Sequence, residues 1–245
     1  LNQLTSRIDK KWIPRDAEGM VYPNHTLDEI DFSKGNWMIL ARTNKLLLNI
    51  SEHFYFLGVR FTGRSNKYLP NSILEAYQVW TRLNQGAFVS GEEAQTVYQY
   101  LLVKKGHVAR GFSDGRSLQN ETSVDLDKLK TNHGLLIKGD WKQLHFPNDT
   151  KDYMQTLLER GDTLMEKSKI QLLTLHGSKG KECENVCLFT DYGTEGQDEF
   201  IYRSAYESPD AEHRLFFVGT TRAKENLHVM QPNSDYYYTI GGPIV

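Results

Sequence analysis

The chain has 245 residues, of which 39% are hydrophobic and 11% aromatic, so it holds enough apolar surface for one large or two small cores. No stretch approaches the roughly 18 consecutive apolar residues that a membrane helix needs, and the first residues form no apolar signal peptide. The net charge of −2 excludes a strongly basic protein that binds nucleic acid through overall charge alone. We expect a soluble, cytoplasmic protein and, because the sequence does not begin with Met, a portion of a longer chain.

The first elements predicted along the chain are one strand and two helices. The apolar run Trp37–Ala41 is continuous rather than alternating, which is typical of a strand buried on both faces of a parallel sheet. Residues 71–83 and 91–102 place apolar side chains at helical spacing, and each segment predicts an amphipathic helix. Residues 106–122 are polar and rich in glycine, which predicts an exposed loop.

A turn, a further helix and three further strands are predicted next. Residues 134–146 are strand-like on either side of a Gly-Asp turn, and residues 152–167 predict a helix. Apolar runs at 170–175, 186–190 and 227–230 predict strands of the same buried, parallel type.

Strands therefore occur towards both ends of the sequence, whereas helices dominate its middle. This order predicts an α/β domain formed by residues 1–63 and 168–245, interrupted by a smaller, mainly helical insert at residues 64–167. Cys183 and Cys187 lie four residues apart, which is the spacing of neither a zinc knuckle nor a disulfide framework. We predict that both are buried free thiols.

A short polar turn, His-Gly-Ser-Lys-Gly at residues 176–180, follows one of the predicted strands. Loops at the carboxyl ends of parallel strands are where open α/β sheets bind ligands. Small residues let a backbone approach a ligand closely, and Ser178 could cap a following helix whose N-terminus favours phosphate. The alternative is an ordinary turn with Lys and Glu side chains on the surface.

The segment 208–229 predicts a helix with an arginine immediately after it. Ser208 suits the N-cap, Pro209 suits the first helical position, and Asp210 lies in the first turn, where the helix dipole favours anions. A Gly-Thr-Thr sequence then breaks the helix just before Arg222. This arginine is either an ordinary surface residue or, beside a cleft, a group that neutralises charge during phosphoryl transfer.

Both segments resemble motifs of the UvrD/Rep/PcrA-like superfamily 1A DNA helicases. TLHGSKGKE resembles motif V (T-x-H-x-x-K-G-x-E), and EHRLFFVGTTRAKENL resembles motif VI (E-R-R-L-x-Y-V-G-x-T-R-A-x-x-x-L). WMILARTN, at residues 37–44, resembles the strand ending in R-[ST]-N that opens the family's second RecA-like domain. The resemblance implies a RecA-like 2A domain, the second motor domain of a P-loop NTPase-like fold, with an abbreviated 2B insert. It also implies an ATP-dependent DNA helicase or translocase of 3′-to-5′ polarity.

Matching the motifs residue by residue assigns four DNA contacts. The resemblance implies that Arg42 and Asn44 contact single-stranded DNA, and that Thr174 and His176 contact its backbone or bases. Phosphate contacts of this kind position a strand without reading its sequence. For His176, capping of a strand end remains the alternative.

Three consecutive tyrosines, Tyr236, Tyr237 and Tyr238, fall where relatives place an aromatic ring that stacks on a base. Such a ring accepts any base, because every base has a π-face. We assign this role to Tyr238. Ordinary core packing of the three rings is the alternative.

The resemblance assigns the nucleotide contacts to a different set of residues. Glu182 corresponds to the residue that hydrogen-bonds the ribose, and Arg222 to the arginine finger that reaches the γ-phosphate. Lys179 and Gly180 shape the motif V loop around the nucleotide.

The motif VI helix departs from the family pattern at two positions. Arg214 and Glu212 match residues that support the catalytic site, and Arg214 is assigned to the catalytic set with Arg222. The family usually has two adjacent arginines and a tyrosine, whereas this chain has His213 before Arg214 and Phe217 in place of tyrosine. Because of these changes, the motif does not determine which hydrogen bonds form around the catalytic site.

The sequence contains no G-x-x-x-x-G-K-[ST] phosphate loop and no acidic Walker B strand end. The cofactor implied is ATP with Mg²⁺, and the metal would be held mainly by a preceding RecA-like domain of the same protein. We assign no metal ligand to this chain. The implied partners are that domain and single-stranded or duplex DNA.

Two other interpretations stay open. One is a catalytically inert helicase-like module that binds DNA or serves as a scaffold, against which the presence of Glu182 and Arg222 counts. The other is the RecD-like branch of the superfamily, whose motif V usually contains glutamine. The short insert points to a phage or mobile element in a bacterial cell as the source.

Overall fold

The computed structural model describes residues 16–63, 66–193 and 199–240. The chain divides into two compact units: unit 1 comprises Leu1–Asn66 and Ser168–Val245, and unit 2 comprises Lys67–Lys167. In the described ranges, no helix has the length and apolar character needed to cross a membrane.

Unit 1 is built on a parallel sheet. Its strands are β1 (Met20–His25), β2 (Trp37–Ala41), β3 (Ile170–Thr174), β4 (Cys183–Leu188) and β5 (Ala223–Met230). The spatial order is β1-β5-β4-β2-β3, and every neighbouring pair runs parallel. The prediction of an α/β fold with a RecA-like parallel sheet is confirmed.

Strand β2 is buried along its whole length and lies between β3 and β4. Its five residues pair in register with Ile170–Thr174, and its first four also pair with residues 185–188. Because parallel strands end on the same side, we call that side of the sheet the carboxyl edge and the opposite side the amino edge. The register of β2 fixes which residues emerge at each edge.

Four strands agree with the sequence prediction in type, with ends that shift by up to four residues. Strand β1 is not predicted, because it lies at the sheet margin with every side chain exposed or half-buried, and it contains Pro23. An edge strand tolerates proline and needs no continuous apolar run, so its sequence does not show the buried pattern.

The helices of the described residues are α1 (Asn44–Phe56), α2 (Asn71–Asn84), α3 (Gly91–Tyr98), α4 (Leu126–Asn132), α5 (Asn148–Glu159), α6 (Glu199–Glu207) and α7 (Pro209–Thr220). In unit 1, α7 matches its prediction, whereas α1 and α6 are not predicted. The Thr43 hydroxyl caps α1 by accepting from the Leu46 amide at 3.2 Å.

Helix α7 packs closely on the sheet at Gly219. A Cβ atom on this residue would lie 2.6 Å from Leu175 Cδ2 and 3.1 Å from Leu188 Cδ1. The apolar layer beneath the helix includes Leu40, and on the helix itself Phe216, both fully buried. The glycine therefore lets the end of α7 approach the ends of β3 and β4.

Unit 2 is mainly helical, as predicted, but the prediction of two strands within residues 134–146 is wrong. That segment has one isolated bridge, between Leu135 and Val108, and a 3-10 turn at Trp141–Gln143. The Asp140 carboxylate caps this turn by accepting from the Lys142 amide at 2.9 Å. The apolar residues are used for packing instead: Trp141 and Phe146 contact other aromatic rings of the unit.

Two helix ends in unit 2 also differ from prediction. Helix α5 covers Asn148–Glu159 rather than 152–167, and Gly161 follows it in a left-handed conformation with φ of 90°. Helix α3 ends at Tyr98 rather than at residue 102. Both free thiols are in unit 1, where Cys187 is buried as predicted and Cys183 is half-buried.

A pair of histidines joins the edge strand β1 to β5. His25 Nδ1 and His228 Nδ1 lie 3.0 Å apart, and Tyr22 stacks on the His228 ring with 4.6 Å between centroids. One ring must donate and the other accept, so the contact requires at least one neutral imidazole. Desolvation, followed by the nearby His25, lowers the pKa of His228 below its ordinary value.

We expect this pair to make unit 1 less stable in mild acid. Because the folded-state pKa of His228 is lower than the unfolded one, the unfolded chain takes up a proton first as pH falls through about 6.5. The free energy of unfolding should therefore fall between pH 7.5 and 5.5, and His228→Gln should show a smaller fall. Urea unfolding across this pH range measures both, and parallel curves for the two proteins would contradict the expectation.

Candidate functional site

The carboxyl edge brings together four of the residues predicted to contact DNA. Ala41 pairs with Thr174 at the ends of β2 and β3, so Arg42 and the turn beginning at His176 emerge side by side. Asn44 is the first residue of α1 and is exposed. Two motifs that are about 130 residues apart in sequence therefore share one surface.

Arg42 forms a bidentate ion pair with Glu212 of α7. Its Nε donates to Glu212 Oε2 at 3.1 Å, and its Nη2 donates to Oε1 at 2.9 Å. The two side chains are 20% and 9% exposed. Both bonds are made by the Nε and Nη2 side of the guanidinium. The Nη1 group has no protein partner among the described residues.

The turn after β3 is held by its own hydroxyl groups. Thr174 Oγ1 accepts from the Gly177 amide at 3.1 Å, and the buried Ser178 donates to the Leu175 carbonyl at 2.7 Å. The expectation that Ser178 caps a following helix is wrong, because a single 3-10 turn, His176–Ser178, leads into β4. Ser178 is a structural residue of the turn, whereas His176 is exposed at its surface.

The pKa of His176 lies below its ordinary value. Desolvation is the largest cause, followed by the positive charges of Arg42 and Lys179, while Glu212 acts in the opposite direction. The lowered pKa favours the neutral imidazole, which can both donate and accept a hydrogen bond.

The predicted nucleotide residues Glu182 and Arg222 lie at the opposite, amino edge. Glu182 immediately precedes β4 and Arg222 immediately precedes β5, and the Cys183 amide donates to the Arg222 carbonyl at 3.0 Å. Strand β4 separates the two edges by about 17 Å, at about 3.3 Å per residue. The structure thus places Glu182 and Arg222 on a different edge of the sheet from the residues predicted to contact DNA.

Arg222 is anchored at the end of α7 by three hydrogen bonds. Its Nε donates to the Val218 carbonyl at 2.9 Å, its Nη1 to the Lys181 carbonyl at 3.0 Å, and its Nη2 to Thr221 Oγ1 at 2.9 Å. A guanidinium has five N–H groups, so two remain for another acceptor. The side chain is half-buried, which keeps it fixed without closing it off from solvent.

The other predicted nucleotide residues are more exposed. Glu182 lies 3.6 Å from the Lys224 ammonium in an exposed ion pair. Gly180 has φ of 75°, a left-handed conformation that glycine adopts readily, and Lys179 beside it is exposed. Arg214 pairs with Asp210 within α7 at 3.7 Å.

The assignment of Tyr238 as the base-stacking residue is not supported by its position. The Tyr238 side chain is 7% exposed, its ring stacks on Phe216 at 4.2 Å, and its hydroxyl lies 2.9 Å from His213 Nδ1. Phe216 covers one face of the Tyr238 ring, and Tyr238 belongs to the apolar core. The ring is therefore not positioned to stack on a base. Tyr236 is the more exposed ring of the run.

One buried carboxylate at the carboxyl edge was not singled out from the sequence. Asp191 follows β4 and accepts from the Asn233 and Ser234 amides at 2.7 and 2.9 Å. Burial raises the pKa of this carboxyl, and the two backbone bonds oppose the rise. An acidic residue three positions after a buried strand was the available signal.

Comparison with known families identifies the segment that carries these features. The model of the UvrD-like helicase C-terminal domain matches residues 149–234, about a third of the chain. Residues 149–234 are therefore similar to the C-terminal portion of UvrD/Rep-like helicases. This confirms the resemblance drawn from the two motifs, both of which lie inside the matched residues.

A curated relative supports the same family. ATP-dependent DNA helicase Rep of Escherichia coli (strain K12) is 35% identical over 81 residues, which cover 32% of this chain and 11% of the Rep chain. The match spans about a tenth of that relative's length. Roles of individual residues in the matched segment remain predictions.

The Arg42–Glu212 pair should make a large contribution to stability. Arg42→Met leaves a nearly buried carboxylate without its partner, and breaking such a pair costs about 3 kcal/mol or more of unfolding free energy. Arg42→Met with Glu212→Met should recover most of the loss, because no uncompensated charge remains.

Urea unfolding of the single and double variants measures this coupling. The exposed Arg82–Glu93 pair of unit 2 is the control, and Arg82→Met should cost less than about 1 kcal/mol. Additive effects of Arg42→Met and Glu212→Met would show that the two residues act independently.

Proposed function

We propose that this chain contributes the second motor domain of an ATP-dependent superfamily 1A DNA helicase or translocase. In this proposal unit 1 is the RecA-like 2A domain and unit 2 is a small 2B-like insert. The supporting observation is the distribution of residues on the sheet: Arg42, Thr174 and His176 lie at the carboxyl edge, whereas Glu182 and Arg222 lie at the amino edge. A preceding RecA-like domain would supply the phosphate loop and the Walker B acid.

The DNA surface proposed is the carboxyl edge. Arg42 provides a charged donor for a backbone phosphate, and the exposed Asn44 and His176 provide neutral donors and acceptors. Thr174 supports this surface indirectly, because its hydroxyl is bonded to the Gly177 amide and shapes the turn. None of these contacts reads base identity, which suits a motor that must move along any sequence.

The nucleotide surface proposed is the amino edge. Arg222 fits a phosphate, since two of its N–H groups have no protein partner in the described residues and its guanidinium is held in place by three bonds. Glu182 fits a ribose hydroxyl as an exposed acceptor that would first have to leave Lys224. ATP with Mg²⁺ would supply the hydrolysable phosphoanhydride, and this chain would supply the positive charge and the sugar contact.

In this mechanism, unit 1 acts as one of two bodies that open and close around the nucleotide. Arg222 would approach the phosphates on closing and withdraw on opening, and the carboxyl edge would move with it because both belong to one sheet. The movement would shift the DNA-contact residues relative to those of the preceding domain. Alternating affinity at the two domains would then advance the strand.

An inert helicase-like scaffold is the second candidate function. The observation that favours it is that Glu182 and Arg222 already have protein partners, as structural residues would. The two candidates differ in whether the protein needs Arg222 for turnover.

For the full protein that carries this chain, we expect Arg222→Ala to reduce the ATPase kcat at least 100-fold while DNA affinity stays within about 3-fold. The reason is that the variant removes charge neutralisation at the amino edge and leaves the carboxyl edge unchanged. Steady-state ATPase assays and oligonucleotide anisotropy measure the two quantities, with the exposed Arg116→Ala as the control. Normal hydrolysis by Arg222→Ala would reject the arginine-finger role.

Variants of the carboxyl edge should show the opposite behaviour. Asn44→Ala or His176→Ala should reduce DNA-stimulated ATP turnover several-fold more than basal turnover, because each removes one hydrogen-bonding group from the proposed strand surface. Titration of ATPase activity with single-stranded oligonucleotide separates the two rates. Equal losses with and without DNA would argue against a role of these residues in DNA contact.

A further inference from the structure

Helix α7 connects the two edges of the sheet in unit 1, and its residue Glu212 bonds Arg42 at the carboxyl edge. Glu212 is the fourth residue of α7, and Arg222 follows the last residue of that helix by two positions. The eight helical steps from Glu212 to Thr220 span about 12 Å at about 1.5 Å per residue, and the two residues that follow bring Arg222 close to the length of β4. Helix α7 therefore runs from the carboxyl edge to the amino edge, with a charged side chain engaged at each end.

The contacts along this helix are tight at both ends. At the first end, the carboxylate holds Arg42 by two bonds of 3.1 and 2.9 Å. At the second, Arg222 Nε bonds the Val218 carbonyl of the same helix, and its Nη1 bonds Lys181 of the motif V turn. Gly219, three residues before Arg222, packs against Leu175 and Leu188 at the carboxyl ends of β3 and β4, so the helix has little room to shift against the sheet.

The geometry at Arg42 shows how Glu212 can act without blocking the arginine. Glu212 occupies the Nε and Nη2 side of the guanidinium, whereas the end formed by Nη1 and the second Nη2 hydrogen has no protein partner in the described residues. A phosphate can bind that end with two parallel hydrogen bonds while the carboxylate stays in place. Because the carboxylate fixes the plane of the guanidinium, it also fixes the direction of the free donors.

We infer that Glu212 is a positioning residue that orients Arg42 for a strand phosphate and, through α7, couples occupancy of the carboxyl edge to Arg222 at the amino edge. This inference rests on the proposed function and deepens it. Glu212 itself touches neither DNA nor nucleotide.

The alternative role for Glu212 is competition with the phosphate for Arg42, and the two roles predict opposite signs. If Glu212 orients Arg42, removing its charge disorders the guanidinium and weakens binding. If Glu212 competes, removing its charge frees the guanidinium and strengthens binding. General loss of a nearby negative charge would also strengthen binding, so a weakening cannot come from that source.

The first measurement is the Kd of the 245-residue chain for a labelled single-stranded oligonucleotide, by fluorescence anisotropy at low salt. We expect Glu212→Gln to raise the Kd about 10-fold, and Glu212→Asp to raise it less, because the shorter carboxylate keeps the charge but not both bonds. The matched control is Glu207→Gln, which removes the same charge from an exposed position on α6 and should leave the Kd within 2-fold. Glu212→Asp also keeps the test valid if Glu212→Gln does not fold.

The second measurement distinguishes coupling from a purely structural role of Glu212, which would leave its result unchanged. Hydrogen–deuterium exchange of residues 217–222 should slow when the wild-type chain is saturated with oligonucleotide, and this DNA-dependent slowing should be absent in Glu212→Gln or Glu212→Asp at equal saturation. Unchanged or tighter binding by both variants, or slowing that persists in them, would overturn the coupling while leaving the proposed DNA contact intact. No binding of oligonucleotide by the wild-type chain would instead overturn the proposed DNA surface, and the coupling with it.

Discussion

The pairing of β2 with β3 and β4 is the constraint on which the rest of unit 1 depends. β2 has no exposed residue, and it pairs on one side with a strand that begins 129 residues after its last residue. Backbone groups buried in this way must all be bonded, so the strand cannot slide without losing both ladders. The same register brings Arg42 beside the turn that carries Thr174 and His176. The surface formed by two distant motifs is thus a consequence of strand pairing.

The sheet also separates residues predicted to contact DNA from residues predicted to contact the nucleotide. Residues that follow strands emerge at the carboxyl edge, and residues that precede strands emerge at the amino edge, so neighbouring residues of one motif can face different partners. Motif V shows this: His176 lies after β3, whereas Glu182 lies before β4. The short loop between these two residues runs from the carboxyl edge of the sheet to the amino edge. Helix α7 crosses in the same direction, and its close approach to the sheet depends on the absence of a side chain at Gly219.

The features that the sequence predicted well are those with a strong local pattern. Continuous apolar runs indicated β2, β3, β4 and β5, and Ser208-Pro209 with the following acidic residues indicated the start of α7. The failures have a physical cause in each case. β1 lacks an apolar pattern because it lies at the margin of the sheet, and the apolar residues at 134–146 pack against aromatic rings instead of pairing as strands. Tyr238 was assigned to a surface because of its place in the motif order, whereas Phe216 and His213 hold it in the core.

The sequence by itself determined the parallel α/β class and the similarity to the UvrD-like helicase C-terminal domain, because motif spacing and continuous apolar runs are local patterns that can be recognised without the fold. It also named most of the residues that gather at each edge of the sheet. Only the tertiary structure decided how they are arranged: that Arg42 is held by Glu212, that Arg222 is anchored to α7 and the motif V turn, and that Tyr238 is buried. These contacts join residues up to 170 positions apart in sequence, and no local pattern encodes which polar groups meet when the strands pair.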